Sequence, residues 1–418
     1  MKYTRSTDFI MLLLILWWML WIMVSYFELS VFPRPSLAVI AQYLMFLFFF
    51  IFGYLSVRVF SWKQHTIVGE SSSIFKSNSF RVKFVMRFIS LSCLVVLLLS
   101  LSSSGGLSTN FAEYYLMLRL YGLDSYLTGN KYLDLITKII IYPVTFSMIV
   151  LILSVGIKRF KSVFFVSVLN LILFAYLWQV NYPLISFFWV SIFILILQFK
   201  HGYSFQWKVF LMLFFLMSLL LLSSMNRFGG DLYGALKHYF FSYHVTGFSY
   251  YDFHYNNPNS ILHEHTYGRS SLGFIDQLAD LLSRIIGLDY KAASFENIDF
   301  NAYPVHVGAI DGREINAFGT FLFSLYRDLN IVGIAVGGFL YGAFTTYTLL
   351  LSNKSWLSRA LFIVLASSWM IGMMVSPLEQ GYFWFAILFI GLLKITNRGF
   401  CFGFSYSQIN KDPLLNTK

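Results

Sequence analysis

The residues able to do chemistry are concentrated in one stretch. Between Met225 and Asn316 lie six of the eight histidines (His238, His244, His254, His263, His265 and His306), ten of the nineteen acidic residues and six basic ones, among many Tyr and Phe. Arg227 opens the stretch, and Arg313 and Arg327 stand where it closes. A guanidinium presents a planar fork of donors that fits phosphate oxygens two at a time. Arginines converging there would suit a diphosphate at headgroup depth. The plainer account is interfacial snorkelling, or internal pairing in the Arg327–Asp328 region. His306 shortly precedes Arg313, and a neutral imidazole can take a proton from a hydroxyl near neutral pH. Asp311, Glu314 and Asp328 are rival bases, and a hydrogen-bonded loop histidine is the alternative reading of His306. His263-Glu264-His265 has the look of a metal fragment, but spacing offers no third ligand, so no metal is expected.

The elements that position these residues are apolar. Hydrophobic residues make up 58 % of the chain and charged ones 12 %, with a mean hydropathy of +0.68; a soluble domain carries roughly 25 % charge. Uncharged apolar runs of about 17 residues or more recur, each able to cross a hydrocarbon core about 30 Å thick. The expected fold class is an all-α polytopic membrane protein with about ten spans. These are placed near 9–27, 36–57, 86–104, 137–157, 162–179, 181–199, 209–226, 329–352, 360–378 and 380–396. The organisation follows: an N-terminal bundle over 1–224, a large polar loop over 225–330, C-terminal helices over 331–400 and a tail over 401–418. The first run, Phe9 to Phe27, has three tryptophans and no small-x-small cleavage site, so it reads as an anchor rather than a removed signal. Cys93 and Cys401 supply neither a disulfide framework nor a metal spacing.

Charge sets the expected orientation. With both termini cytoplasmic, the regions on that side hold 19 of the 30 Lys and Arg and only Asp8, Glu70 and Asp412 among the acids; the other side holds 11 basic and 16 acidic residues. That is the positive-inside pattern. The net charge of +11 therefore reports topology, not a nucleic-acid partner. The large loop falls on the side away from the cytoplasm and is itself net acidic.

Within the loop, Leu272 to Leu288 carries an apolar stripe at helical spacing and is expected to lie on the membrane surface or cap the bundle. Asp231 to Tyr243 looks similar, whereas His254 to Ser271 is turn-rich. Between Gly105 and Asp134, Asn110 with Glu113 fits a capping box that opens a short interfacial helix, most simply one that packs against the main loop. Ala317 to Tyr326 is apolar but too short to span. It either dips into the outer leaflet and returns, or begins a long helix through Leu351. Gly333, Gly337, Gly338 and Gly342 then offer a small-residue face for close helix packing.

No P-loop, dinucleotide fingerprint or lipase-type Gly-x-Ser-x-Gly is present. The first exported loop, Glu28 to Pro35, has a single acid, which disfavours glycosyltransferases that use a polyprenyl monophosphate sugar and place an acidic motif there. Asn316-Ala317-Phe318, followed by Tyr326-x-Asp328-x-x-Ile331-x-Gly333, is similar to the Asn-x-Phe … Tyr-x-Asp-x-Gly-x-x-Gly pattern of oligosaccharide repeat-unit polymerases. Asn330 stands where that pattern has a Gly. Arg227 with Gly229 and Gly230 also resembles the family's loop entrance, so the chain resembles the Wzy family of O-antigen and capsule polymerases.

The resemblance implies a metal-independent, cofactor-free glycosyltransferase of the GT-C type in the bacterial inner membrane. It would join repeat units carried on undecaprenyl diphosphate, both donor and acceptor, with membrane lipids, a chain-length regulator and a flippase as partners. Arg227 and Arg313 would stabilise the departing diphosphate, and His306 or Asp328 would take the proton. Arg269, His238, Asn316, Tyr326 and Arg327 would bind substrate. An O-antigen ligase acting on lipid A core is the alternative. A flippase ranks below both because the spans are nearly uncharged, and an O-acyltransferase is disfavoured because His65 and His201 lie in cytoplasmic segments.

Overall fold

The computed structural model describes residues 2–62, 79–106, 128–178, 180–200, 215, 218, 231–237, 241–300, 305–310, 312, 314–315, 319–352 and 355–402. The expected span at 209–226 apart from residues 215 and 218, the Asn110–Glu113 helix and residues 403–418 of the tail lie outside them, as do Arg227, His238, Asp311, Arg313 and Asn316.

The chain is a membrane-embedded bundle of α-helices. Among the described residues six helices are long and apolar enough to cross a membrane: Thr7–Tyr26, Leu37–Phe60, Lys83–Ser103, Tyr132–Val155, Lys161–Trp178 and Phe321–Leu351. Tyr182–Gln198, Trp356–Ile371 and Gly381–Leu393 are shorter apolar helices. These nine stretches coincide with nine of the ten expected. The fourth begins earlier than its hydrophobicity suggested. Asn130 accepts hydrogen bonds from the backbone N–H of Tyr132 (3.0 Å) and Leu133 (3.3 Å), which starts the helix at Lys131.

Tryptophans join the first helix to the helix Trp356–Ile371. The Trp18 indole donates to the Trp369 carbonyl (3.0 Å), the Trp369 indole donates back to Leu14 (2.9 Å), and Trp17 donates to Met370 (3.1 Å). Phe50 stacks on Trp369 with ring centres 3.9 Å apart. A buried indole needs a partner for its N–H, and backbone carbonyls of the facing helix supply it.

The apolar segment after Phe318 both dips and continues. The helix Phe321–Leu351 breaks at Leu329 (φ −144°, ψ 30°) and Asn330 (φ 56°, ψ −143°). In a straight helix Phe321 and Tyr341 would stand about 30 Å apart, yet their ring centres are 5.0 Å apart. Residues 321–328 therefore form a short re-entrant helix lying antiparallel to the first half of the span at 331–351. The glycine face serves two partners. Gly333 and Gly337 abut Leu325 of the re-entrant helix, while Gly338 and Gly342 abut the backbone of Phe46 and Phe50 in the second helix, Leu37–Trp62. Asn330 suits the turn because asparagine is among the few non-glycine residues that tolerate positive φ.

Within the expected Asp231–Tyr243 piece, Leu232–Lys237 is helical. The polar loop also contributes a helix the pattern did not show, Tyr243–Asn256, which inserts among the spans with Val245, Phe248, Tyr250 and Tyr251 buried. Its sequence of Tyr, His, Ser and Thr masks an apolar role. Residues 257–272 are turns, as expected, with one 3-10 turn at Ile261–His263. The stripe-bearing segment forms the helix Gly273–Ile285, oriented opposite to a soluble amphipathic helix. Asp276, Gln277, Asp280 and Ser283 face inward, while Ile275, Leu282 and Ile285 face outward. Ile285 is 68 % exposed. In a membrane protein such a face is covered by lipid, in keeping with a surface-lying helix.

Gly342 gives the packing a direct test. A side chain there meets the Phe50 carbonyl, which cannot swing aside. Gly342→Leu should lose the monodisperse peak on size-exclusion chromatography in detergent, since overpacking of this kind costs about 1–3 kcal/mol or more. Gly391→Leu, where a Cβ meets nothing within 4 Å, should keep the peak. Equal profiles for the two variants would show that the interface is looser than described.

Candidate functional site

Two polar regions stand at the loop end of the bundle, and they differ in how fully their groups are satisfied. The first is a buried knot beneath the helix Gly273–Ile285. Arg327, on the re-entrant helix, is fully buried and donates to the Ala293 carbonyl (3.2 Å) and to Glu296 (3.3 Å). Glu296 also receives Arg269 (3.4 Å), which donates to Asp276 (3.2 Å) and to the Tyr290 hydroxyl (3.1 Å) as well. Asp328 accepts from the Thr266 hydroxyl (2.6 Å) and from the backbone N–H of Ser270 (3.0 Å) and Ser271 (2.8 Å). Glu379, in the connection between the last two helices, accepts from Ser270 (2.8 Å), both ways from Asn297 (3.0 and 2.9 Å) and from Ser324 (2.9 Å). Burial pushes the Glu379 carboxyl above the usual carboxylate range, against the pull of those donors and of the Arg327 charge.

The knot explains three residues singled out from the sequence. Arg269, Arg327 and Asp328 are brought together, but by one another's structural partners. Asp328 spends both oxygens holding residues 266–271 against the re-entrant helix. Among the described residues it is a positioning group rather than an open base. Arg327 has its charge compensated by Glu296. Glu296 and Glu379 escaped the sequence reading. Glu379 is a lone acid between two apolar helices, in Ser376-Pro377-Leu378-Glu379-Gln380, and that isolation was the available signal.

Tyr326 packs its ring among Tyr251, Tyr255 and His263, with ring centres 5.7 to 6.2 Å away. The Asn330 amide meets the His265 Nε2 at 3.0 Å, so the His-Glu-His fragment serves turn packing here. His306 is exposed on a two-residue antiparallel hairpin, where Val305 pairs with Ile315 and His306 with Glu314. Its Nδ1 accepts from the Gly308 N–H at 3.2 Å. In a neutral ring this puts the proton on Nε2. The free nitrogen is then a donor, and a general base requires an acceptor.

The second region is an open cleft of about 530 Å³ lined by Pro33, Ser249, Asp252, Phe253, Asn256, Asn257 and Val307, the last being the strand neighbour of His306. The connection between the first two helices and the helix Tyr243–Asn256 form its walls, held by bonds from the backbone N–H (2.9 Å) and hydroxyl (2.5 Å) of Ser36 to Asp252 Oδ1. Asn256 adds a third donor to the same oxygen (3.1 Å). Asp252 Oδ2 has no hydrogen bond among the described residues. An aromatic ring, two side-chain amides and a carboxylate with one committed and one available oxygen make a lining suited to polyhydroxylated rings. Asp252 lies within Tyr250-Tyr251-Asp252-Phe253, a carboxylate amid aromatics that the sequence reading passed over.

No protein-family model, curated protein or solved structure matches this chain.

Two measurements test the site's framework. Arg327→Met leaves Glu296 with Arg269 alone and takes away the cation that acts on the buried Glu379, and should cost about 1–3 kcal/mol, seen as a lower midpoint of thermal unfolding in detergent; Arg327→Lys should fall between. An unchanged midpoint in Arg327→Met would remove the knot from the account of stability. His254 reports burial separately. Burial and the neighbouring His263 push its imidazole down from 6.5 to about 4, and Ser260 holds its Nδ1 at 3.0 Å. Because the unfolded chain takes up this proton first, stability should fall as pH drops from 6.5 toward 4, by up to about 1.4 kcal/mol per unit. His254→Asn should flatten that slope, and a parallel slope in both proteins would refute the assignment.

Proposed function

We propose that the chain is a glycosyltransferase that polymerises lipid-linked oligosaccharide repeat units, with the Asp252 cleft receiving the incoming unit. The observation that carries this reading is the cleft itself: open, polar, aromatic on one side, and supplied with a carboxylate oxygen free to accept a proton. The similarity of residues 316–333 to the repeat-unit polymerase pattern supports it. The pattern's glycine falls at Asn330, where the backbone needs positive φ, so the same physical demand underlies both residues.

In the reaction, a hydroxyl of the incoming unit attacks the anomeric carbon of the growing chain, and its proton passes to Asp252 Oδ2. The bond from that carbon to the lipid diphosphate breaks, and the electron pair leaves with the diphosphate. Phe253, Asn256 and Asn257 orient the acceptor ring. Arg227 and Arg313, outside the described residues, are the cations proposed to stabilise the leaving diphosphate. A bacterial inner membrane with the loop facing the periplasm, undecaprenyl diphosphate as carrier, and a chain-length regulator and flippase as partners belong to the same proposal.

Asp252→Asn keeps the shape and the Ser36 acceptor but removes the base. In a strain lacking the gene, the variant should reach normal membrane levels yet lower polymer formation by about 10²–10⁴-fold, the usual worth of a general base. The glycan ladder would collapse toward a single repeat unit. A normal ladder from Asp252→Asn would exclude this role. Absence of all glycan on the core in the deletion strain would instead identify a ligase acting through the same cleft.

A further inference from the structure

At the end of the bundle away from the polar loop, Lys83 and Arg87 of the third helix converge with Arg159, in the turn after the helix Tyr142–Val155, and with Lys161 at the start of the helix Lys161–Trp178. They line an open cleft of about 260 Å³. Among the described residues no carboxylate pairs with any of the four. The acid described at this end, Asp8, is occupied by Arg58 (3.1 Å) and the Tyr54 hydroxyl (2.9 Å). Arg87 is held in place by the Ser162 hydroxyl at 3.1 Å, which fixes its guanidinium across the cleft without neutralising it. Like charges gathered this closely repel one another unless an anion joins them.

The surroundings identify the anion's source. Phe84 and Phe88 flank Arg87 along the third helix and are 63 % and 65 % exposed, and Phe165 on the facing helix is 66 % exposed. All three belong to membrane-crossing segments, so the cleft opens onto a surface covered by acyl chains. We propose that this cleft binds the phosphate headgroup of an anionic phospholipid, with its tails lying along Phe84, Phe88 and Phe165. Arginine's fork and the lysine point charges suit a phosphodiester, and basic pockets between helices at the membrane boundary are a known form of lipid site. The site is independent of the proposed glycosyl transfer.

The test is thermal unfolding of the full chain in detergent with added phosphatidylglycerol, phosphatidylcholine or inorganic phosphate. Phosphatidylglycerol should raise the midpoint, by mass action on the folded state, and the rise should shrink in about 1 M salt, where the screening length is about 3 Å. Phosphatidylcholine and phosphate should leave the midpoint unchanged. Arg87→Gln with Arg159→Gln should lose most of the rise, and so should Lys83→Gln with Lys161→Gln, which carries the test should the arginine pair fail to fold. An equal rise from phosphatidylcholine, a full rise in the variants, or the same rise from phosphate alone would each overturn the proposal.

Discussion

A chain that turns back within a membrane bundle must satisfy its backbone and its charges at the turn, and the loop end of this protein is arranged around that constraint. Arg327 and Asp328 sit at the top of the re-entrant helix, adjacent in sequence and opposite in charge, but they do not neutralise each other. Each is matched separately, Arg327 by Glu296 and Asp328 by three donors from residues 266–271. The Thr266 N–H closes the arrangement on the Arg327 carbonyl at 2.8 Å. An unmatched ion at this depth would cost several kcal/mol. The turns at 257–272 and the helices Gly273–Ile285 and Ala293–Phe300 therefore act as the solvent for the turn.

That division of labour separates rigid groups from available ones. The knot commits Arg327, Asp328, Glu296 and Glu379 to partners within it. The Asp252 cleft is joined to the second helix through Tyr251, whose hydroxyl donates to Gln42 at 2.5 Å, and to the re-entrant helix through the packing of Tyr251 on Tyr326. A carboxylate anchored through one oxygen keeps its geometry while its other oxygen stays free. Preorganisation of this kind is what the proposed transfer reaction would need from its base.

The bundle was largely legible in the sequence because apolar length is an unambiguous signal in a membrane protein. Nine stretches were readable from hydropathy alone, and the glycine face from its spacing. The helix Tyr243–Asn256 was not, since its core positions are filled by Tyr, Ser, Thr and His, which hydropathy scores as surface. The re-entrant helix was read only as one of two choices, because the same apolar decapeptide fits either until contacts to Gly333 and Tyr341 decide it. The site was legible as a region rather than as residues. Asp328 and Arg327 are conspicuous charges, and burial turned them to structural use. Asp252 and Glu379 drew no notice because their importance depends on neighbours distant in sequence, Ser36 for the one and Ser270 and Asn297 for the other.

The indole–carbonyl bonds between the first helix and Trp369 also bear on the order of assembly. Trp18 and its acceptor are 351 residues apart, and Leu14 and its donor 355. While the chain is being made, the first helix enters the bilayer with two indole N–H groups and a carbonyl-facing groove that nothing yet synthesised can fill. Its final partner arrives only when Trp356–Ile371 has been inserted. That helix is thus made long before the partner that completes its packing, and the bundle stays open on that side until Trp356–Ile371 is in place.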